Sequence, residues 1–264
     1  MGEPGFHRVG FAESEDPDAT HVLARTAEFS LSDSFAPQWE MEGRSRLVEA
    51  LRRIIKPLTA LVERDANEGD TRLLVTDFLC HGLNYDKYKD LTTEYQTKGE
   101  SVDFGIRING KLFAFVEVKR CGQRLDIRSL RQVRANAAAE DVEWLVLTNG
   151  RNWRVYHAPL DDGTATELII DIDLLDEEAL PVAIDALFHL GKDAVRNGRL
   201  EHLRRWRGAL AAAPLADVLV SGPVVRAIHK ELRGRTGHKG HEGDLEDVLT
   251  ALRTGIIPKN LRTS

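Results

Sequence analysis

The sequence predicts an α/β fold in which strands occupy the middle of the chain, with helices before them and a long run of helices after. Three observations point to it. In "GRSRLVEALRRIIKPLTALVERDA" apolar residues recur at Leu47, Leu51, Ile54, Ile55, Leu58 and Leu61, the spacing of one helix face. Between residues 91 and 173, short apolar or alternating runs are separated by Asn-Gly and other turn formers, as strands are. From Glu177 onward no segment reads as a strand. With 264 residues, 42% of them hydrophobic and 30% charged, the chain is balanced like a folded protein and long enough for one large domain and a smaller appendage.

Taken in order, residues 1–40 are acidic and without sustained periodicity, and read as an arm. The first helix follows, with Pro57 predicting a kink or break. "NEGDTRLLVTDFLCHGL" is a second helix, capped by Asn67, with Glu68 in its first turn and Gly82 at its end. "DLTTEYQT", "SVDFGIRI" and "KLFAFVEVK" are strands, the last two joined at Asn109-Gly110. "IRSLRQVRANAAA" is a helix capped by Asp126, and "VEWLVLTNGRNWRVYHA" a pair of strands joined at Asn149-Gly150. "TELIIDIDLL" adds a further strand. The chain thus divides into an arm (1–40), a central domain (41–176) and a helical extension (177–264).

Several classes are disfavoured at once. The net charge of −6 argues against a general polyanion binder, so a nucleic-acid contact requires a local basic patch. No apolar run is long enough for a bilayer, and the first twenty residues lack the basic-then-apolar order of a signal peptide. The start "MGEPGF" lacks the Ser or Thr of a myristoylation signal. Two cysteines, Cys80 and Cys121, form no metal-binding spacing and suit a reducing cytoplasm; Cys80, in an apolar helical run, reads as core.

The chemistry concentrates in "VDFGIRINGKLFAFVEVKR", where Asp103, Glu117 and Lys119 interrupt apolar strands. Charges are seldom buried there without partners. Strand alternation puts Asp103, Gly105 and Arg107 on one face of the first strand, and Phe113, Phe115, Glu117 and Lys119 on one face of the second. Facing residues must share a side, so even pairs with even, which disfavours a two-residue loop at 109–110. A three-residue loop at 109–111 sets Asp103 opposite Glu117. One at 108–110 sets it opposite Phe115 and is slightly preferred, because it puts Gly110 at a left-handed position. Either register gathers Asp103, Glu117 and Lys119. Two carboxylates so placed raise each other's pKa unless a cation lies between them. An all-oxygen pair suits Mg²⁺ or Mn²⁺, with Lys119 beside it to hold or help deprotonate a water, an assembly suited to phosphodiester hydrolysis. A salt-bridge ladder on a solvated sheet face satisfies the same spacing.

The segments "NEGDTRLLVTDFLCHGLNYD", "VDFGIRINGKLFAFVEVKR", "SLRQVRANA" and "WLVLTNGRNWRVYH" occur in one order over about ninety residues. Together they resemble the N-terminal nuclease domain of type I restriction enzyme R subunits, within the PD-(D/E)xK superfamily. The resemblance spans residues 66 to about 158, and more weakly to 176. It implies a restriction-endonuclease-like mixed sheet flanked by helices, and Mg-dependent cleavage of DNA. It also implies Asp103, Glu117 and the carbonyl of Val118 as metal ligands, Lys119 as the catalytic lysine, Glu68 completing the site, and Gln132 on substrate or orienting the lysine face. Glu68 in a first turn also serves the helix dipole. The chain departs from the family where an aromatic usually follows the glutamine; Ala135 and Asn136 stand there. No GxxxxGK[ST] phosphate loop occurs, so the helicase motor of an R subunit is missing and the resemblance is to a stand-alone relative. A non-catalytic binding or regulatory module of the same fold is the alternative.

Arg120, Arg124, Arg128 and Arg131 follow the lysine strand as a stripe placed to meet DNA phosphates, although a solvated helix face carries the same residues. Arg196, Arg199, Arg204, Arg205 and Arg207 surround Trp206 on a helix read as solvated and anchored by Leu200, Leu203 and Trp206. The Gly-rich "HKELRGRTGHKGHEG", with His229, His238, His241 and Glu242, lacks paired cysteines or HExxH and reads as a polar loop rather than a zinc site. Leu215, Val218, Leu219 and Val225 add apolar surface to the tail. Part of it is expected to cover the sheet, and any excess to meet a second copy or a protein partner.

Overall fold

The computed structural model describes residues 36–97, 100–161, 165–176 and 178–261. The chain divides into Met1–Met41 and Glu42–Ser264, and the architecture below belongs to the second unit apart from the first turn of its first helix. Most of the expected N-terminal arm lies outside the described residues.

Helix α1 spans Gln38–Glu63 and buries Leu47, Leu51, Ile54 and Leu58, four of the six apolar positions that predicted it. The expected break at Pro57 does not occur; the helix runs through it. Interior proline costs about 3 kcal/mol. Burial of neighbouring Leu58, which is complete, and of nearby Ile54 offsets that cost, and the Thr59 hydroxyl donates to the Ile55 carbonyl one turn back. Helix α2 spans Glu68–Asp77 and continues as a wider π-turn, Phe78–Gly82. As the sequence predicts, Asn67 caps it, its side chain accepting from the Asp70 N–H at 2.9 Å. Cys80 in the π-turn is only half buried, whereas Cys121 is buried.

A mixed α/β architecture follows. Six strands, β1 (Leu91–Gln96), β2 (Ser101–Ile108), β3 (Lys111–Val118), β4 (Trp144–Thr148), β5 (Asn152–His157) and β6 (Glu167–Asp173), lie in sequence order in one sheet. All neighbours are antiparallel except β3 and β4. That parallel pair needs a crossover, supplied by α3 (Ile127–Ala138), whose cap Asp126 accepts from the Ser129 N–H at 2.9 Å. One sheet face buries Phe115, Leu145 and Leu147 with Val133 and Ala137 of α3. Against the other, Phe78 of the π-turn meets the fully buried Trp153 ring edge-on at 5.1 Å.

The β2–β3 hairpin departs from both three-residue loops. Ile108 pairs with Lys111 across the disfavoured two-residue turn, with Asn109 and Gly110 at φ 52° and 81°. A register shift at Ile106/Arg107 restores the parity that such a turn violates. Phe113 is the extra residue. It moves to the Trp144 side, stacking at 6.3 Å, while Leu112 packs with the Phe115 cluster, so these two exchange the faces that simple alternation assigns. Beyond the bulge Phe104 pairs with Val116; continued one residue, that register sets Asp103 opposite Glu117, not opposite Phe115.

Among the described residues after 177 the regular elements are all helical: α4 (Leu180–Phe188), α5 (Lys192–Arg196), α6 (Arg199–Ala209), α7 (Ala212–Leu219), α8 (Gly222–Thr236) and α9 (Asp244–Ala251), followed by a π-turn (Leu252–Ile256) and a short 3-10 turn (Lys259–Leu261). The first of them are fixed to the sheet layer. The Tyr85 hydroxyl donates to the Leu190 carbonyl at 2.8 Å, Lys192 Nζ meets Asp90 at 2.5 Å, and Leu200 is buried. Trp206, by contrast, is 63% exposed and does not anchor α6. Arg204 beside it is engaged by Glu201 at 2.7 Å and Glu167 at 3.4 Å. A chain ended at residue 176 is therefore expected to aggregate or change its oligomeric state, since Tyr85 and the sheet face under Leu200 lose their cover. Size-exclusion chromatography checks this; a truncated chain as monodisperse as the full one overturns the covering role.

Candidate active site

The site lies where β2 and β3 part. Asp103, 9% exposed, turns a carboxylate oxygen into the ladder and accepts the Val118 N–H at 2.7 Å. A side chain thus takes the place of a strand hydrogen bond, which pins Asp103 against the backbone that carries Glu117 and Lys119. Glu117 is also buried, and its Oε1 lies 2.5 Å from Lys119 Nζ.

Helix α2 brings the remaining charges. The fully buried Thr71 accepts the Cys121 N–H at 3.2 Å through its hydroxyl, and so docks the first turn of α2 on the chain just past Lys119. Arg72 then reaches the Asp103 carboxylate at 2.5 Å, with Glu68 at 3.3 Å and Glu94 of β1 at 3.5 Å. The chain leaving Lys119 is held from the β4–β5 turn. Lys119 N–H donates to the Thr148 carbonyl at 2.8 Å, and Asn149 Nδ2 donates to the Gln123 carbonyl at 2.8 Å. Asn149 Oδ1 also accepts the Asn152 N–H, closing the turn of the "LTNG" stretch.

Four carboxylates here face two cations, leaving a surplus of two negative charges. Burial raises the Asp103 pKa above the ordinary carboxylate value, against the pull of the Val118 N–H and of Arg72, and Glu68 pushes it further. Glu117 is raised too, by burial first; the Lys119 hydrogen bond and charge oppose this, while Asp103 and Glu68 add to it. For Lys119, burial disfavours the charge, but the Glu117 hydrogen bond and the three acids outweigh it, so its pKa is raised. Lys119 therefore stays protonated at neutral pH. It is a donor, not a base.

The structure brings together four residues singled out in the sequence, Glu68, Asp103, Glu117 and Lys119, which share one electrostatic field. Gln132 is not among their partners; it is exposed on α3 and its amide donates to Glu100 at 2.8 Å. Arg124, Arg128 and Arg131 are exposed, and Arg120 pairs with Asp65. Arg72, Glu94, Thr71 and Asn149 escaped the sequence reading. Only Arg72 left a signal, since it stands four residues after Glu68, the spacing of a helical ion pair.

A hard oxygen-binding cation such as Mg²⁺ or Mn²⁺ fits the donor chemistry, two buried carboxylates in a negatively charged cluster. Among the described residues the three side chains whose ligand atoms lie within 4.8 Å of one another are His238, His241 and Asp244, not these acids. Arg72 stands between Glu68 and Asp103. Compared with protein-family models, curated proteins and solved structures, the chain matches none.

Proposed function

We propose that the chain is a metal-dependent DNA endonuclease of restriction or defence type. The observation that carries this reading is the uncompensated negative charge around Asp103 and Glu117, with a protonated Lys119 held 2.5 Å from one of the two acids. In the proposed mechanism Asp103, Glu117 and the Val118 carbonyl hold Mg²⁺ or Mn²⁺, which when bound supplies Lewis-acid polarisation of the scissile phosphate. Lys119 donates to the attacking water and holds it in line, and its raised pKa keeps it in the donating form. Glu68 adds negative charge beside Asp103 and steers the Arg72 guanidinium. Arg120, Arg124, Arg128 and Arg131 meet phosphates on either side of the bond. Gln132, on the same helix as the last two, contacts substrate once freed from Glu100.

Incubation with plasmid, linear and single-stranded DNA, with and without Mg²⁺ or Mn²⁺, tests the activity; no cleavage of any of them with either metal counts against it. A second reading is favoured by the Arg72–Asp103 contact, which neutralises one acid with a protein cation. On that reading the chain is a non-catalytic nucleic-acid-binding or regulatory module. It then binds DNA equally with and without the metal and cuts nothing.

The arginine stripe carries its own expectation. Reversal of Arg128 and Arg131 to Glu should weaken DNA affinity at least ten-fold and flatten its salt dependence by about two counterions. An unchanged salt slope makes these arginines a solvated face only. A second copy or a protein partner is proposed to sit on the exposed tail residues Trp206, Leu210 and Val218; sedimentation across a range of concentrations checks it.

A further inference from the structure

The far end of the chain holds a cluster that the proposed nuclease chemistry does not use. His229 lies on α8, His238 and His241 in the loop after it, and Asp244 opens α9. Nothing in their sequence spacing resembles a familiar metal pattern, yet ligand atoms of His238, His241 and Asp244 lie within 4.8 Å of one another, and His229 joins them through Asp244. His229 Nε2 and His238 Nε2 lie 3.1 and 3.2 Å from Asp244 Oδ2, and His241 Nδ1 lies 3.0 Å from Asp244 Oδ1. The loop is built to do this. Gly237, Gly240 and Gly243 all adopt positive φ, at 70°, 88° and 99°, turning the chain back at three points within seven residues. Arg233 of α8 donates to the His238 and Lys239 carbonyls and clamps the loop against its own helix. Asp244 is 9% exposed although the loop around it is open to solvent.

His229 Nε2 and His238 Nε2 face the Asp244 carboxylate, and His241 Nδ1 lies between Asp244 Oδ1 and the Glu242 carbonyl at 2.8 Å, so each nitrogen must carry a proton in the metal-free state; the His241 backbone N–H takes a further acceptor site on Asp244 at 3.1 Å. A divalent cation satisfies the same four side chains without those protons. Three imidazoles and one carboxylate are borderline ligands in a number that matches tetrahedral zinc; Mg²⁺ and Ca²⁺ prefer oxygen donors.

We infer that His229, His238, His241 and Asp244 form a zinc site that ties α8 to α9, separate from the acidic cluster on the sheet. All four protein ligands fill the coordination shell, so the site is structural rather than catalytic. Each coordinating ring nitrogen must give up its proton to the metal, so the affinity falls as pH falls.

The test uses the full chain without an affinity tag, stripped with a chelator and titrated with Zn²⁺ against a chromophoric competitor. One zinc per chain, bound tighter than about 1 µM, is expected. A Co²⁺-loaded sample should show the visible absorption of a tetrahedral centre. Deuterium exchange of amides in 222–251 should slow on adding zinc. The double variant His238→Ala/His241→Ala and the single variant Asp244→Asn should each lose this binding, while Asp103→Ala/Glu117→Ala retains it. DNA cleavage with Mg²⁺ should be unchanged in Asp244→Asn, so failure of the zinc site and failure of the nuclease reading are distinguishable. Zinc retained by the histidine variant, or lost with Asp103 and Glu117, overturns the site. So does a chain that binds no zinc below about 10 µM.

Discussion

Lys119→Ala is expected to reduce DNA cleavage by about 10²–10³-fold while leaving DNA binding and the metal requirement in place. On the proposed mechanism the lysine donates to the water and contributes nothing else to holding the substrate. Its removal leaves Glu117 buried without its 2.5 Å partner, at a cost of about 1–3 kcal/mol, which a folded domain of this size tolerates. Because the folded-state pKa of Lys119 is raised, its stabilising contribution is fully present below the unfolded value and lost as pH rises through the folded one. The variant should accordingly lose less stability than the wild type under strongly alkaline conditions. Thermal unfolding at graded pH, beside a cleavage time course, checks both. Wild-type cleavage by the purified variant removes Lys119 from the mechanism.

The second large effect belongs to Asp103. Asp103→Ala should abolish activity and any rise in melting temperature on adding Mn²⁺. It also leaves the Val118 N–H without its acceptor and frees Arg72, at a cost of about 1–3 kcal/mol once the partial exposure of Arg72 is allowed for. Asp103→Asn separates the two roles, since the amide oxygen still accepts the Val118 N–H. It should fold like the wild type yet remain inactive. The wild-type carboxyl, raised by burial, contributes stability below its unfolded pKa near 4 that is lost as pH rises through the folded value. Asn has no such loss, so between mildly acidic and neutral pH the variant should gain stability relative to the wild type. Cleavage by the Asn variant at the wild-type rate refutes the metal-ligand role.

Much of this site was legible because strand alternation is a hard constraint. Asp103, Glu117 and Lys119 were placed together by parity alone, and Asn67 and Asp126 announced their helices. The details failed where tertiary packing overrode local rules. Parity disfavours a two-residue turn, but the sheet admits one by making Phe113 an extra residue against Trp144. Pro57 reads as a break, but burial of the residues around it keeps α1 intact. Arg72 was missed because its closest acid, Asp103, is 31 positions away in sequence, on a different element. The histidine cluster reads as a loop in the sequence because its closure depends on three glycines in left-handed conformations, which leave no periodic trace.

The bulge in the β2–β3 hairpin also makes the tip a place where the chain can be edited. The register from Phe104↔Val116 to Ile106↔Ala114 is set on the site side of Phe113, and the turn hangs beyond it with a register of its own. Residues spliced between Asn109 and Gly110 lengthen only the distal segment, where a side chain added at Gly110 meets nothing within 4 Å. A peptide tag, a fluorophore-bearing cysteine or a whole guest domain grafted there should leave Asp103 and Glu117 in step. Deleting Phe113 instead would remove the extra residue and its stack on Trp144, while Arg107↔Leu112 and Ile106↔Ala114 become consecutive pairs and the two acids keep their alignment.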